Sequence, residues 1–257
     1  MPDSLWGSDS DADTDNPPSP TVPPALHALP PPLVASSAPP PIPGLYHFPG
    51  VLPVELQHAL TEALSAKVWT GHSNQVMLFD SPTRSTMPPY LKPLLDLLPT
   101  VLSSLPDAVK ASLFEHTTPR QAILNLYFPG QGISPHVDLP TRYADGIIGI
   151  SLLGSTAMDF SPASSPSASS PTEPPPAYAL RLRPGDVYVL SGEARWDWTH
   201  GIAYREEDLV EDEQGHPMRV RRGVRMSITL RRMKEGAELL GLEEEGGGKV
   251  EKDTGEK

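Results

Sequence analysis

The chain has no cysteine, so disulfides and thiolate zinc sites are excluded. No apolar run reaches the length of a membrane span, and no basic-then-apolar segment opens the sequence. The expectation is a soluble intracellular protein of the cytoplasm or nucleus. Lys and Arg are missing altogether from residues 1–43, where thirteen of the 33 prolines and five Asp fall. That stretch has no apolar periodicity and cannot bury enough surface to offset its ordering entropy, so it reads as a disordered Pro-rich arm. Its polyproline character offers a ligand for SH3- or WW-type partners. Basic excess is also missing. The formal net charge is −12, and residues 44–235 carry twenty acids against seventeen bases. Nine of those bases lie between Arg195 and Lys234, which makes one region locally basic without the strong positive charge of a general nucleic-acid binder.

Residues 44–235 have the size of one domain and 236–257 read as a solvated acidic, disordered tail. A helix is expected from Pro53 to Val68, with Leu56, Leu60, Ala63 and Leu64 at helical spacing. A second helical stretch covers 89–105, broken near Pro99, and a shorter one covers 107–114. From Gln121 the period changes to short β-branched and aromatic runs: QAILNLYF, GIIGISLLG, TAMDF, YALRLR, DVYVLSG and GVRMSITLRR. Helices first and strands afterwards predict an α+β domain whose second half is a jelly roll. Residues 161–177 form a low-complexity loop between two strands, and residues 206–218 read as a polar loop.

Three features carry chemistry. His136 and Asp138 alternate in an extended segment and so share a face; alone, they are equally two polar residues at a strand end. His200 follows in WDWTHGI, where a lone histidine is commonly structural. Together they form a two-His, one-carboxylate set, which leaves half of an octahedral iron open for a chelating cosubstrate and dioxygen. The helical HExxH pattern of zinc hydrolases is absent. The third feature is the run 225–231, which as a strand places Arg225, Ser227, Thr229 and Arg231 on one face. Two arginines on one face suit either a solvated edge or a buried dicarboxylate, since a guanidinium fork pairs bidentately with a carboxylate. Asn125 and Tyr127 share another strand face and offer hydrogen bonds to the same ligand.

Taken in order, Asn-x-Tyr, His-x-Asp, His and Arg-x5-Arg within a strand-rich region, the sequence resembles the AlkB family of Fe(II)- and 2-oxoglutarate-dependent dioxygenases. NQVMLFD at 74–80 looks like part of that family's substrate-facing lid. NLYFPGQGISPHVD, SLLGSTAMDF and WTHGI look most like the branch that acts on modified tRNA wobble uridines. Pro140 stands where the base-repair members carry an acidic residue, two positions beyond the Asp. The resemblance implies a double-stranded β-helix with N-terminal helices against it. It implies Fe(II) held by His136, Asp138 and His200, with 2-oxoglutarate and O2 as cosubstrates. Arg225, Tyr127 and Ser227 would take the distal carboxylate of 2-oxoglutarate, with Asn125 and Arg231 near the metal-proximal one. The implied activity is hydroxylation or demethylation of a modified nucleic-acid base, RNA in preference to DNA, by a monomer. The modest charge leaves open the same chemistry on a protein side chain or small molecule, and a non-catalytic interaction protein is the remaining class.

Overall fold

The computed structural model describes residues 32–69, 74–80, 86–115, 118–163 and 176–237. In chain order its elements are β1 (Leu45–Phe48), α1 (Val54–Lys67), β2 (Gln75–Asp80), a 3-10 turn (Pro89–Leu91) leading into α2 (Lys92–Val101), α3 (Asp107–Phe114), β3 (Arg120–Tyr127), β4 (Ile133–His136), β5 (Tyr143–Leu153), β6 (Thr156–Pro162), β7 (Tyr178–Leu182), β8 (Val187–Leu190), the single turn α4 (Glu193–Trp196), β9 (Trp198–Ile202), β10 (Glu207–Glu211), β11 (Pro217–Arg221) and β12 (Arg225–Met233). One sheet has six strands in the order β1-β8-β5-β12-β3-β2, the other four in the order β4-β9-β6-β7, and β10-β11 form a separate ribbon. All ladders are antiparallel, as in a jelly roll.

Strand alternation sorts the large sheet's side chains. Leu124, Leu126, Met226, Ile228 and Leu230 turn outward onto Leu60 and Leu64 of α1, Leu94 and Leu98 of α2, and Leu113 of α3. The opposite face meets the smaller sheet through Ile147, Tyr188 and Leu190, packed on Met158, Phe160, Leu180 and Ile202. That inter-sheet space holds the site. Pro99 lies inside α2 rather than ending it. The lost amide costs one bond, and the burial of Leu94 and Leu98 carries the helix on to Val101.

Part of the stretch expected to be a disordered Pro-rich arm is folded. Residues 32–43, expected within it, are packed: Ala35 is fully buried and Ile42 joins the inter-sheet core. Ala35 N donates to the Leu209 carbonyl (2.8 Å) and receives Glu211 N at its own carbonyl (3.0 Å), while Ser36 N donates to Ala179 O (3.1 Å) and Ser36 O accepts from Arg181 N (2.8 Å). The segment is thus threaded between β7 and β10, and these backbone bonds offset its ordering entropy. The region 206–218 is likewise corrected. It forms most of the β10–β11 hairpin, with Asp208 and Val210 turned inward and the Asp212 carboxylate accepting from the amides of Gln214 and His216 in the turn. Ala237, placed in the expected tail, is buried against Tyr143 and Met233. The expectations for residues 1–31 and 238–257, and for most of the low-complexity loop (164–175), lie outside the described residues.

Candidate active site

His136 ends β4 and pairs directly across the ladder with His200 of β9, their ring centroids 4.6 Å apart. Asp138 follows in the next turn. Its Oδ2 lies 3.5 Å from His200 Nε2, and one donor atom from each of the three residues falls within 4.8 Å of the others. His136 Nδ1 sits 2.9 Å from the Ser134 carbonyl, a bond that assigns the proton to Nδ1 and leaves the Nε2 lone pair free. Burial, reinforced by His136 and Arg195, pushes the His200 imidazole down to about 3, so it is neutral and able to donate a lone pair. Three N/O donors of this kind fit a divalent transition metal.

The same cavity, of ≈ 70 Å³, is lined by all eight side chains singled out in the sequence: His136, Asp138, His200, Asn125, Tyr127, Arg225, Ser227 and Arg231. Arg225 is buried, with Nη1 2.8 Å from Ser227 Oγ, its guanidinium 5.7 Å from the Tyr127 ring centroid, and Nε without a partner. No carboxylate pairs with it among the described residues, an expensive state for a buried cation. Ser151 Oγ, cross-strand from Ser227, is also buried and unpartnered. A dicarboxylate in this cavity would give Arg225 the partner it lacks, so the lining residues fit 2-oxoglutarate as well as the metal.

Four contributors escaped the sequence reading. Tyr188 lines the cavity, and burial pushes its phenol up to about 12, so it stays a hydrogen-bond donor. Gly149 lets the Tyr188 ring lie across the sheet, because a Cβ there would collide with it. Gln121 accepts from Arg231 Nε at 2.7 Å. Arg195 donates to the Asp138 carbonyl at 3.0 Å. Only the last shows a trace in sequence, as a basic residue in an otherwise apolar and acidic stretch. Arg231 itself donates to the Asp138 carboxylate and stacks 3.5 Å from the Tyr143 ring centroid, so it holds the protein's own carboxylate.

A larger chamber of ≈ 360 Å³ adjoins this cavity and shares Gln75, Asn125, Tyr127 and Ile133 with it. Its remaining lining is Asn74, Leu126, Gln131, Gly132 and Tyr204, with no charged side chain among the described residues. The amides are held in pairs: Gln75 Nε2 donates to Asn125 Oδ1 (2.9 Å) and Asn74 Nδ2 to Gln131 Oε1 (3.3 Å).

A jelly roll that brings two histidines, an aspartate and an unpaired buried arginine into one cavity has the constitution of a 2-oxoglutarate oxygenase. The sequence model of the 2OG-Fe(II) oxygenase superfamily matches residues 74–231, and the chain belongs to that family. It is 34% identical over 140 residues to tRNA (carboxymethyluridine(34)-5-O)-methyltransferase alkbh8 of Xenopus tropicalis, covering 54% of this chain and 20% of that protein. It is 31% identical over 216 residues to the alkylated DNA repair protein ALKBH8 homolog of Arabidopsis thaliana, covering 75% of this chain and 59% of that one. The chain therefore spans less than two thirds of the length of either relative. Among solved structures, a Pseudomonas putida prolyl-4-hydroxylase is matched with a TM-score of 0.47 and 13% identity, over 75% of this chain and 94% of that one.

Proposed function

We propose that the protein hydroxylates or demethylates a modified base in RNA, with tRNA the foremost substrate. The carrying observation is that the metal cavity opens into a chamber lined by primary amides and tyrosines without charge. A nucleobase edge presents both donors and acceptors and no charge, which is what such a lining recognises. The volume, ≈ 360 Å³, suits a ligand of nucleoside size. The resemblance to a tRNA-modifying methyltransferase and to a DNA repair homolog supports the same choice.

In this reading His136, Asp138 and His200 would hold the iron and Arg225 would pair with the distal carboxylate of 2-oxoglutarate, assisted by Tyr127, Ser227 and Tyr188. Asn125 serves the metal-proximal carboxylate, and Arg231 fixes the Asp138 carboxylate in place. Iron, 2-oxoglutarate and O2 supply the oxidising chemistry, with 2-oxoglutarate decarboxylated to succinate and CO2. The protein orients the cosubstrate, excludes water with Met158, Ile133 and Ile202 around the metal, and aligns the base from the chamber.

The test is nucleoside mass spectrometry of tRNA and mRNA treated with the protein, Fe(II) and 2-oxoglutarate. A mass change of one oxygen or loss of a methyl group in a tRNA nucleoside, with matching succinate, is expected. No nucleoside change, with succinate formation indifferent to RNA, would overturn it and direct attention to protein side chains, a reading that the near-neutral charge of residues 44–235 favours.

A further inference from the structure

We infer that Arg195 is a positioning residue for the metal, tying the loop that carries Asp138 to the strand that carries His200. The inference rests on the assignment of the metal to His136, Asp138 and His200.

Arg195 is 1% exposed and lies in α4, five residues before His200. Its guanidinium donates to three backbone carbonyls, one between β4 and β5 and two at the start of β5: Nη1 to Asp138 O (3.0 Å), Nη2 to Tyr143 O (3.2 Å) and Nε to Ala144 O (3.4 Å). Its ion-pair partners are none among the described residues, and its outer face is covered by the Trp196 ring, 4.1 Å from the guanidinium carbon. Its hydrogen bonds go to neutral carbonyls, and burial, only partly offset by the charge of the Asp145 carboxylate, lowers its pKa to about 10.

Both ends of this clamp are fixed. The Asp145 carboxylate accepts from Ser191 Oγ (2.6 Å) and Gly192 N (3.0 Å), and Trp198 Nε1 donates to Glu193 Oε1 (3.1 Å). Ala194 N donates to the Pro43 carbonyl (2.9 Å), so the packed N-terminal segment also braces α4. Asp138 is consequently held twice: its carboxylate by Arg231 from β12, and its backbone by Arg195 from the element leading to His200. Asp138 lies outside β4, so no ladder bond sets its distance to His200. The planar guanidinium, with three donors diverging in one plane, does so.

The test uses the full chain and Co(II) as the probe, followed by the visible ligand-field spectrum and by titration. Wild-type protein and the Arg195→Met, Arg195→Lys and Asp138→Ala variants are compared, each with its Tm. Arg195→Met is expected to weaken Co(II) binding roughly 10- to 100-fold, the usual range for loss of a group that orients a metal ligand, and to change the spectrum of the bound fraction. Arg195→Lys is expected to recover most of the Tm but neither the affinity nor the spectrum, because one ammonium cannot reach three carbonyls. Wild-type affinity and spectrum in either folded variant would overturn the inference, and so would failure of both to fold, which would make Arg195 a residue of the fold alone. If Asp138→Ala binds Co(II) as wild type does, the metal assignment itself fails, a distinct outcome.

Discussion

Arg222 and Asp208 form a buried two-pronged ion pair, Nη2 to Oδ1 at 2.7 Å and Nε to Oδ2 at 2.8 Å, across the base of the β10–β11 hairpin. The free Arg222 Nη1 donates to the Ala203 carbonyl at 2.6 Å, and Asp208 also accepts from Ala157 N and Arg205 Nε. One residue pair thereby joins the hairpin to the four-stranded sheet, at β6 and just past the end of β9. Arg222→Ala leaves Asp208 buried and short of its partner, and we expect a loss of about 3–5 kcal/mol in denaturant unfolding. Burial alone would raise the Asp208 pKa, but hydrogen bonds from Arg222 and Arg205 outweigh it and hold the carboxyl below 3.8. A lowered native pKa gives stability that is complete above the unfolded value and lost as pH falls through the native one. Wild type should therefore lose stability below about pH 4 more steeply than Asp208→Asn, which lacks the titration. Parallel acid-denaturation profiles would refute the link.

The metal set makes the next expectation. Purified protein given Fe(II) and O2 should form succinate from 2-oxoglutarate slowly even without substrate. His136→Ala, Asp138→Ala and His200→Ala should each abolish it, because two remaining donors hold the ion poorly. Succinate formation at the wild-type rate in any of the three would remove that residue from the site.

Much of this site could be read from alternation alone. The period of two in 225–231 separates Arg225, Ser227, Thr229 and Arg231 from Met226, Ile228 and Leu230, and the structure places the first set toward the cavity and the second against the helices. Leu60 and Leu64 were equally legible, being four apart on a helix face. What stayed hidden depends on partners distant in sequence. Asp208 is turned inward only because Arg222, fourteen residues later, receives it, so DLVED reads as polar loop rather than strand. Ala35 and Ser36 join the sheets by backbone bonds, which leave no mark on side-chain pattern. Pro135 sits inside β4 and masks it as a turn. Tyr188 matters because β8 pairs with β5 and β5 in turn with β12, a strand order that no local spacing encodes.

RNA as substrate implies phosphate contacts near the chamber. Tyr204 lines that chamber, and β11 beyond it carries exposed Arg219 and Arg221, partly balanced by Glu207. Reversing each charge, Arg219→Glu or Arg221→Glu, should weaken binding of a tRNA anticodon stem-loop and lower the slope of log K against log salt by about 0.7–1 per lost contact. Both are solvent-facing, so Tm should hardly change. An unaltered salt slope in the double variant would place the RNA path elsewhere.

The final expectation turns on Arg225, whose burial without a carboxylate partner is a liability in the cosubstrate-free protein and an asset once 2-oxoglutarate is bound. A functional arginine of this kind and a structural one respond in opposite senses to the same substitution. Arg225→Met removes the unpaired cation while keeping most of the volume, so the Tm measured without 2-oxoglutarate should stay level or rise. The same variant should raise the KM for 2-oxoglutarate about 30-fold or more, since truncating one side of a buried charge pair costs on the order of 2–5 kcal/mol. Arg225→Lys should recover only part of the loss, an ammonium being unable to supply the two-pronged contact. Tyr188→Phe removes a single donor, about 1 kcal/mol, and should raise KM about 5-fold. Lys92→Ala, on α2 with its side chain 74% exposed, is the control and should leave the KM for 2-oxoglutarate unchanged. Arg222 is unsuited to that purpose because its pair with Asp208 supports the fold. If Arg225→Met instead lowered the Tm by many degrees and left KM alone in the folded fraction, the guanidinium would belong to the sheet packing and the cosubstrate carboxylate would need another partner.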